Sequence, residues 1–142
     1  MRRLAFLLVL GCGVFAARFA AAHHSFAAVF DGDKPVTMTG QVTDVEWTNP
    51  HFHFSIDVKD QVGAVTRWRF EGYPPNMLVR QGWRRDETLM PGATVTVDGW
   101  ASRDDATLGA VRWVTFADGK KLAAGPPAGT GDGGSAPAVD VR

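Results

Sequence analysis

Between residues 49 and 58 the chain reads NPHFHFSIDV, where Phe52, Phe54, Ile56 and Val58 alternate with His51, His53, Ser55 and Asp57. Successive side chains of a strand point to opposite faces, so this stretch predicts a strand with one apolar face and one polar face carrying both histidines. Four further stretches carry strand patterns. KPVTMTGQVTDVEW (residues 34–47) puts Val36, Met38, Gly40 and Val42 on one face, and the next apolar residue, Val45, breaks the phase. That slip predicts a bulge or bend close to Gly40. AVTRWRFEG (64–72) sets Trp68 and Phe70 against Arg67, Arg69 and Glu71, after the turn residues DQVG at 60–63. PGATVTVDGW (91–100) turns Val95 and Val97 inward, and GAVRWVTFADG (109–119) is dense enough in apolar residues to read as a more buried strand.

One stretch is helical. PPNMLVRQGW (74–83) opens on prolines, offers Met77 and Leu78 for docking, and has Gly82 where a helix C-terminal cap favours glycine. FDGDK (30–34) reads as a turn before the first strand: it is no calcium loop, since Val42 stands where a bidentate glutamate is needed. The order strand-strand-strand-helix-strand-strand predicts a mainly β domain. The expected architecture is a small five-stranded Greek-key barrel of the oligonucleotide/oligosaccharide-binding (OB) type, with one short helix between strands three and four.

The two ends fall outside this pattern. Met1-Arg2-Arg3 precedes an unbroken apolar run over residues 4–10, and Ala20-Ala21-Ala22 supplies small residues for a cut before His23. These are the parts of a secretory signal. The expected domains are therefore a signal peptide at 1–22, the barrel at 23–122 and a disordered Gly/Pro/Ala tail at 123–142, in a periplasmic or secreted protein. A second reading of the same end takes VLGC (9–12) as a lipoprotein box, which would anchor the chain by lipid on Cys12. No later apolar run approaches the roughly 20 residues that span a bilayer.

The ordinary cut also changes the composition. It removes Cys12, the only cysteine, so the mature domain has no disulfide and no thiolate ligand. It removes Arg2, Arg3 and Arg18, leaving twelve basic against fifteen acidic side chains, a net charge near −3. An excess of acid argues against nucleic acid as a partner. No Gly-x-Ser-x-Gly, HExxH or Gly-rich phosphate loop is present, so no catalytic residue is assigned and enzymatic activity is not the leading expectation.

The four histidines form two pairs, His23-His24 at the expected terminus and His51-x-His53 in the second strand pattern. Alternate strand residues lie about 6.5–7 Å apart on one face, so His51 and His53 can address one metal ion, with Asp57 further along the same face. A free α-amine, with a pKa of about 7.7–8.0, loses its proton readily to a metal. If His23 is the first residue, its amine and ring nitrogen chelate one ion, and a third nitrogen from His51 or His53 completes a T-shaped set suited to copper(II). A cut one residue earlier puts a histidine third, which also suits copper(II).

The competing reading leaves the histidines solvated and makes the domain a metal-free module. Trp47 and Trp100, the tryptophans expected to be free of the core, would with Arg67 and Arg69 hold a glycan, peptide or other anionic ligand. Trp68 and Trp113 are expected to be buried. A third reading is an accessory subunit that docks on a partner protein.

HHSF at the mature start, VEWTNPH before the second strand, RWRFEG followed by PPNMLVRQGW, and then PGATVTVDGW are similar to the motifs of a family of small exported bacterial proteins known as a domain of unknown function. The resemblance implies an export signal and a compact β-rich domain, and it carries no activity with it.

Overall fold

The computed structural model describes residues 26–126. The expected signal peptide, Cys12 and the His23-His24 pair lie outside the described residues. A four-residue helix, α1 (Phe26–Val29), leads into a long strand, β1 (Phe30–Glu46). Then come β2 (His53–Lys59), β3 (Val65–Glu71), helix α2 (Pro75–Arg80), β4 (Thr94–Ser102), β5 (Leu108–Phe116) and a short β6 (Lys121–Ala123). No helix among the described residues is long and apolar enough to cross a membrane.

Strand pairing closes a ring. β1 pairs antiparallel with both β4 and β2, β2 with β3, and β4 with β5, while β3 and β5 close the circuit in parallel through Arg69–Leu108, Phe70–Gly109 and Glu71–Ala110. β1 serves two neighbours because it bends. Its register slips between Val42 and Asp44, the predicted bulge, and Gln41 is the residue paired to Thr94 on one side and Asp57 on the other. The turn expected at residues 30–34 is instead part of β1, seen as a break in register between Phe30 and Pro35.

The ring is filled by the inward positions of every strand. Phe52, Phe54, Ile56, Phe70, Val95, Val97, Val111 and Val114 are all buried, as the alternation predicts for β2, β3 and β4. α2 plugs the barrel with Leu78. Pro75 sits in its first turn, where the missing N–H costs nothing. The helix stops where Gly82 takes φ 87°, with Gly82 N–H donating to Val79 O at 3.1 Å and Trp83 N–H to Leu78 O at 3.0 Å. This pair of bonds satisfies two terminal carbonyls and turns Trp83 back into the core, where its Nε1–H donates to Ala123 O at 2.7 Å.

Two expectations about extent and facing need correction. The domain does not end at 122: β6 runs to Ala123, Ala124 is fully buried, and Tyr73 N–H donates to Ala124 O at 2.7 Å. These alanines resemble the tail in composition but are small enough to fit under Tyr73 and Trp83. Trp113 is half-buried outside the barrel, not in its core. The register of β4 and β5 slips between Asp98 and Gly99, so the inward residues of β5 are Val111 and Val114, three apart, and Trp113 is turned out between Arg112 and Lys121.

A second, smaller apolar cluster lies on the outside of the ring. Trp100, Ala110 and Phe30 are buried there beneath Phe26, Val29 and Leu108. The Phe26 ring meets Trp100 edge-on at 5.6 Å and Phe30 at 5.3 Å. Trp100, expected to be free for a ligand, is therefore only 4% exposed, because the segment leading into β1 covers it.

Candidate functional site

His53 opens β2, and the β2–β3 hairpin pairs it directly with Glu71, the last residue of β3. His51 lies two residues earlier, just before the strand, yet stays in register because Phe52 exchanges hydrogen bonds with Gly72 and Tyr73. Both imidazoles consequently meet one carboxylate. His51 Nδ1 is hydrogen-bonded to Glu71 Oε1, and His53 Nε2 lies 3.5 Å from Glu71 Oε2.

The two rings are held differently. The His51 side chain is 44% exposed; with Nδ1 engaged, Nε2 is left as its free nitrogen. A carboxylate bonded to one ring nitrogen fixes the tautomer and makes the other nitrogen a better metal ligand. His53 is more enclosed, and its Nδ1 is buried without a hydrogen-bond partner. Burial alone would raise the Glu71 carboxyl, but the hydrogen bond from His53 and the charge and hydrogen bond of His51 outweigh it and hold the group below its usual range. Glu71 is thus the shared acceptor that orients both histidines.

Asp57 does not join them. It is four residues along β2, about 13 Å away at strand rise, and it accepts two hydrogen bonds from Arg67, at 2.8 and 3.1 Å. Those bonds hold its carboxyl below the ordinary value. A depressed carboxyl stabilises the fold above its unfolded pKa, and that contribution is lost as pH falls through the folded value. Asp57→Asn is accordingly expected to leave neutral-pH stability nearly unchanged and to flatten slightly the acid limb of a stability–pH curve below about pH 4.

Arg69 is likewise occupied, with its guanidinium 3.0 Å from Glu46. Trp47 is half-buried and packs edge-on against Phe52 at 5.3 Å. Of the four residues expected to hold an anionic ligand, two are arginines already neutralised, one is a covered tryptophan and one leans on the core. Among the described residues, no group of three or more His, Cys, Asp or Glu side chains is arranged to hold a metal ion.

Sequence reasoning missed Glu71. A signal for it existed: every β2–β3 pair straddles residue 62, from Lys59–Val65 outward to His53–Glu71. A hairpin centred on Val62, within the predicted turn, thus sets Glu71 opposite His53.

Residues paired across neighbouring strands share a face. Following the pairs outward from Glu71 gives a row around the outside of the ring: Glu46, His53, Glu71, Ala110, Trp100 and Pro35. α1 rests on the Ala110 and Trp100 part of that row. With neighbouring strands about 4.8 Å apart, Trp100 lies about 10 Å from Glu71. Phe26 therefore packs on the Trp100 end of the row that carries His53 and Glu71.

Five strands closed by a parallel β3–β5 pairing, with a helix between β3 and β4, define an OB-type barrel. The chain belongs to a family of unknown function, DUF6152, whose family model matches residues 12–111. Among solved structures it is similar to the mitochondrial single-stranded DNA binding protein Rim1 of S. cerevisiae. The likeness has a TM-score of 0.46 and 12% identity, covering 59% of this chain and 93% of that one. No match is found among curated proteins.

Proposed function

We propose that the protein is an exported binding protein that holds one copper(II) ion between its mature N-terminus and the His51–Glu71–His53 group. The observation that carries this reading is the shared carboxylate of the barrel rim: His51 and His53 both meet Glu71, and His51 keeps its Nε2 free. His23 would supply its amine and ring nitrogen, and His51 Nε2 the third nitrogen, with Glu71 orienting that ring and His24 or His53 as further donors. Zinc fits less well, since no thiolate is present and an amine with imidazoles favours copper(II).

The anionic-ligand alternative draws less support, because Arg67 and Arg69 are each paired to a carboxylate on the same face. The same pairing supports a partner other than nucleic acid, since it leaves this face without an uncompensated run of positive charge.

Copper(II) titration against a competing chelator tests the reading, on secreted protein whose first residue has been fixed by mass. His51→Ala is expected to weaken binding about 100-fold, equivalent to about 2.7 kcal/mol. Affinity unchanged in that variant would leave an ordinary terminal chelate and overturn the site.

A further inference from the structure

We infer that the outer face of β1, β4, β5 and β6 carries a binding groove for an acidic sugar, with Arg112 taking its carboxylate and Trp113 its ring. No residue of this groove is among the proposed ligands of the ion, so the inference stands apart from the copper reading.

Strand register builds the groove. Thr37 on β1 pairs with Asp98 on β4, and Asp98 with Trp113 on β5, so the three side chains form one outward row. With Trp100, Arg112 and Lys121 they line an open groove of about 380 Å³, at the low end of the roughly 300–1,000 Å³ of small-ligand clefts.

Arg112 is the cation this face leaves available. Among the described residues no carboxylate forms an ion pair with it, whereas Arg67, Arg69 and Arg103 each meet one. Its Cζ instead lies over the rings of Trp100 and Trp113, 5.9 Å from each centroid. A guanidinium over a ring uses its face; its N–H donors lie in its own plane and suit a forked acceptor such as a carboxylate. Lys121 does not compete, because its Nζ donates to Asp98 Oδ2 at 3.1 Å. Two cations and one carboxylate leave a surplus of one positive charge, which matches a single acid group.

The rest of the groove suits hydroxyls. Asp98 accepts Thr37 Oγ1–H at 2.9 Å on one oxygen and Lys121 on the other, so each oxygen keeps a lone pair for a ligand hydroxyl. Half-buried Trp113 adds apolar surface for the C–H face of a pyranose. An acid, hydroxyls and a C–H face on one small molecule define a uronate sugar.

Calorimetric titration of digalacturonate into the mature full-length protein tests this, with the Trp113 indole N–H followed by NMR. Arg112→Ala is expected to weaken binding about tenfold or more, as for loss of a charge-assisted pair. Arg112→Lys, which keeps the charge without the fork, should recover part of the loss. The dimethyl ester of the same disaccharide should bind far more weakly than the acid. Arg84→Ala, which removes a positive charge from another part of the surface, should bind as the parent does. The Arg112 carbonyl accepts Ala124 N–H at 2.8 Å whichever side chain stands there, so thermal unfolding of the Arg112 variants should match the parent.

No digalacturonate binding by the parent, or equal affinity in Arg112→Ala, would overturn the groove. An ester that binds as tightly as the acid would overturn the role of the carboxylate. Tighter binding of a short peptide through its C-terminal carboxylate, with the same dependence on Arg112, would overturn the assignment to sugars.

Discussion

Trp83→Ala is expected to lower the free energy of unfolding by about 3–5 kcal/mol, the range for deleting a buried aromatic. Trp83 is 1% exposed, and its ring packs near Phe52 at 5.6 Å and Phe116 at 6.1 Å. It also joins three elements. It follows the cap of α2, fills the barrel beneath β2, and binds β6 through Ala123 O. A domain of this size has about 5–15 kcal/mol in total, so the variant should be partly unfolded near 37 °C. Trp83→Phe keeps most of the packing and forfeits the hydrogen bond, a loss of about 1–2 kcal/mol. Urea midpoints of the two variants at constant slope would check this. A loss below about 1 kcal/mol in Trp83→Ala would mean that the C-terminal strand is not anchored as described.

Gly99→Ala is expected to cost about 3 kcal/mol despite adding a single methyl group. A Cβ at Gly99 would stand 1.9 Å from Ala110 O and 3.2 Å from Val111 Cα. Both are backbone atoms of the neighbouring strand, so neither can move aside as a side chain would. The glycine sits at the slip in register between β4 and β5. Relief would require parting β4 from β5 next to Trp100 and Ala110, which form the seat of α1. Gly32→Ala is the control: no atom lies within 4 Å of its would-be Cβ, and thermal unfolding should shift by less than about 0.5 kcal/mol.

The elements themselves were legible because each obeys a local rule. The period-two alternation of residues 52–58 needs only a sheet with one buried face, and β2 has that arrangement. The Pro-rich start and Gly82 stop of α2 follow from missing donors and positive φ, which are properties of single residues. The slip after Val42 was visible as a broken phase, because a bulge shifts the apolar face in the sequence as it does in space. β6 was not legible: three residues ending in alanine show no periodicity, and their burial comes from Tyr73 and Trp83, contributed by other elements.

The site divides in the same way. Sequence alone singled out two histidine pairs and the strand that carries one of them. It placed Asp57 on their face, correctly by parity, but could not show that Arg67 would occupy it, since that depends on the β2–β3 register. It left Trp100 uncovered, because a strand pattern records which side of a sheet a residue faces and not what later lies on that side.

Hydrophobic periodicity, proline and glycine placement and the export-like leader thus determined a small β-barrel with a histidine-bearing strand. Tertiary structure decided the rest. It made Glu71 the common partner of His51 and His53, and it laid α1 over Trp100. The physical reason is ring closure: the parallel β3–β5 pairing joins residues almost 40 positions apart in sequence, and no local pattern encodes a contact of that separation.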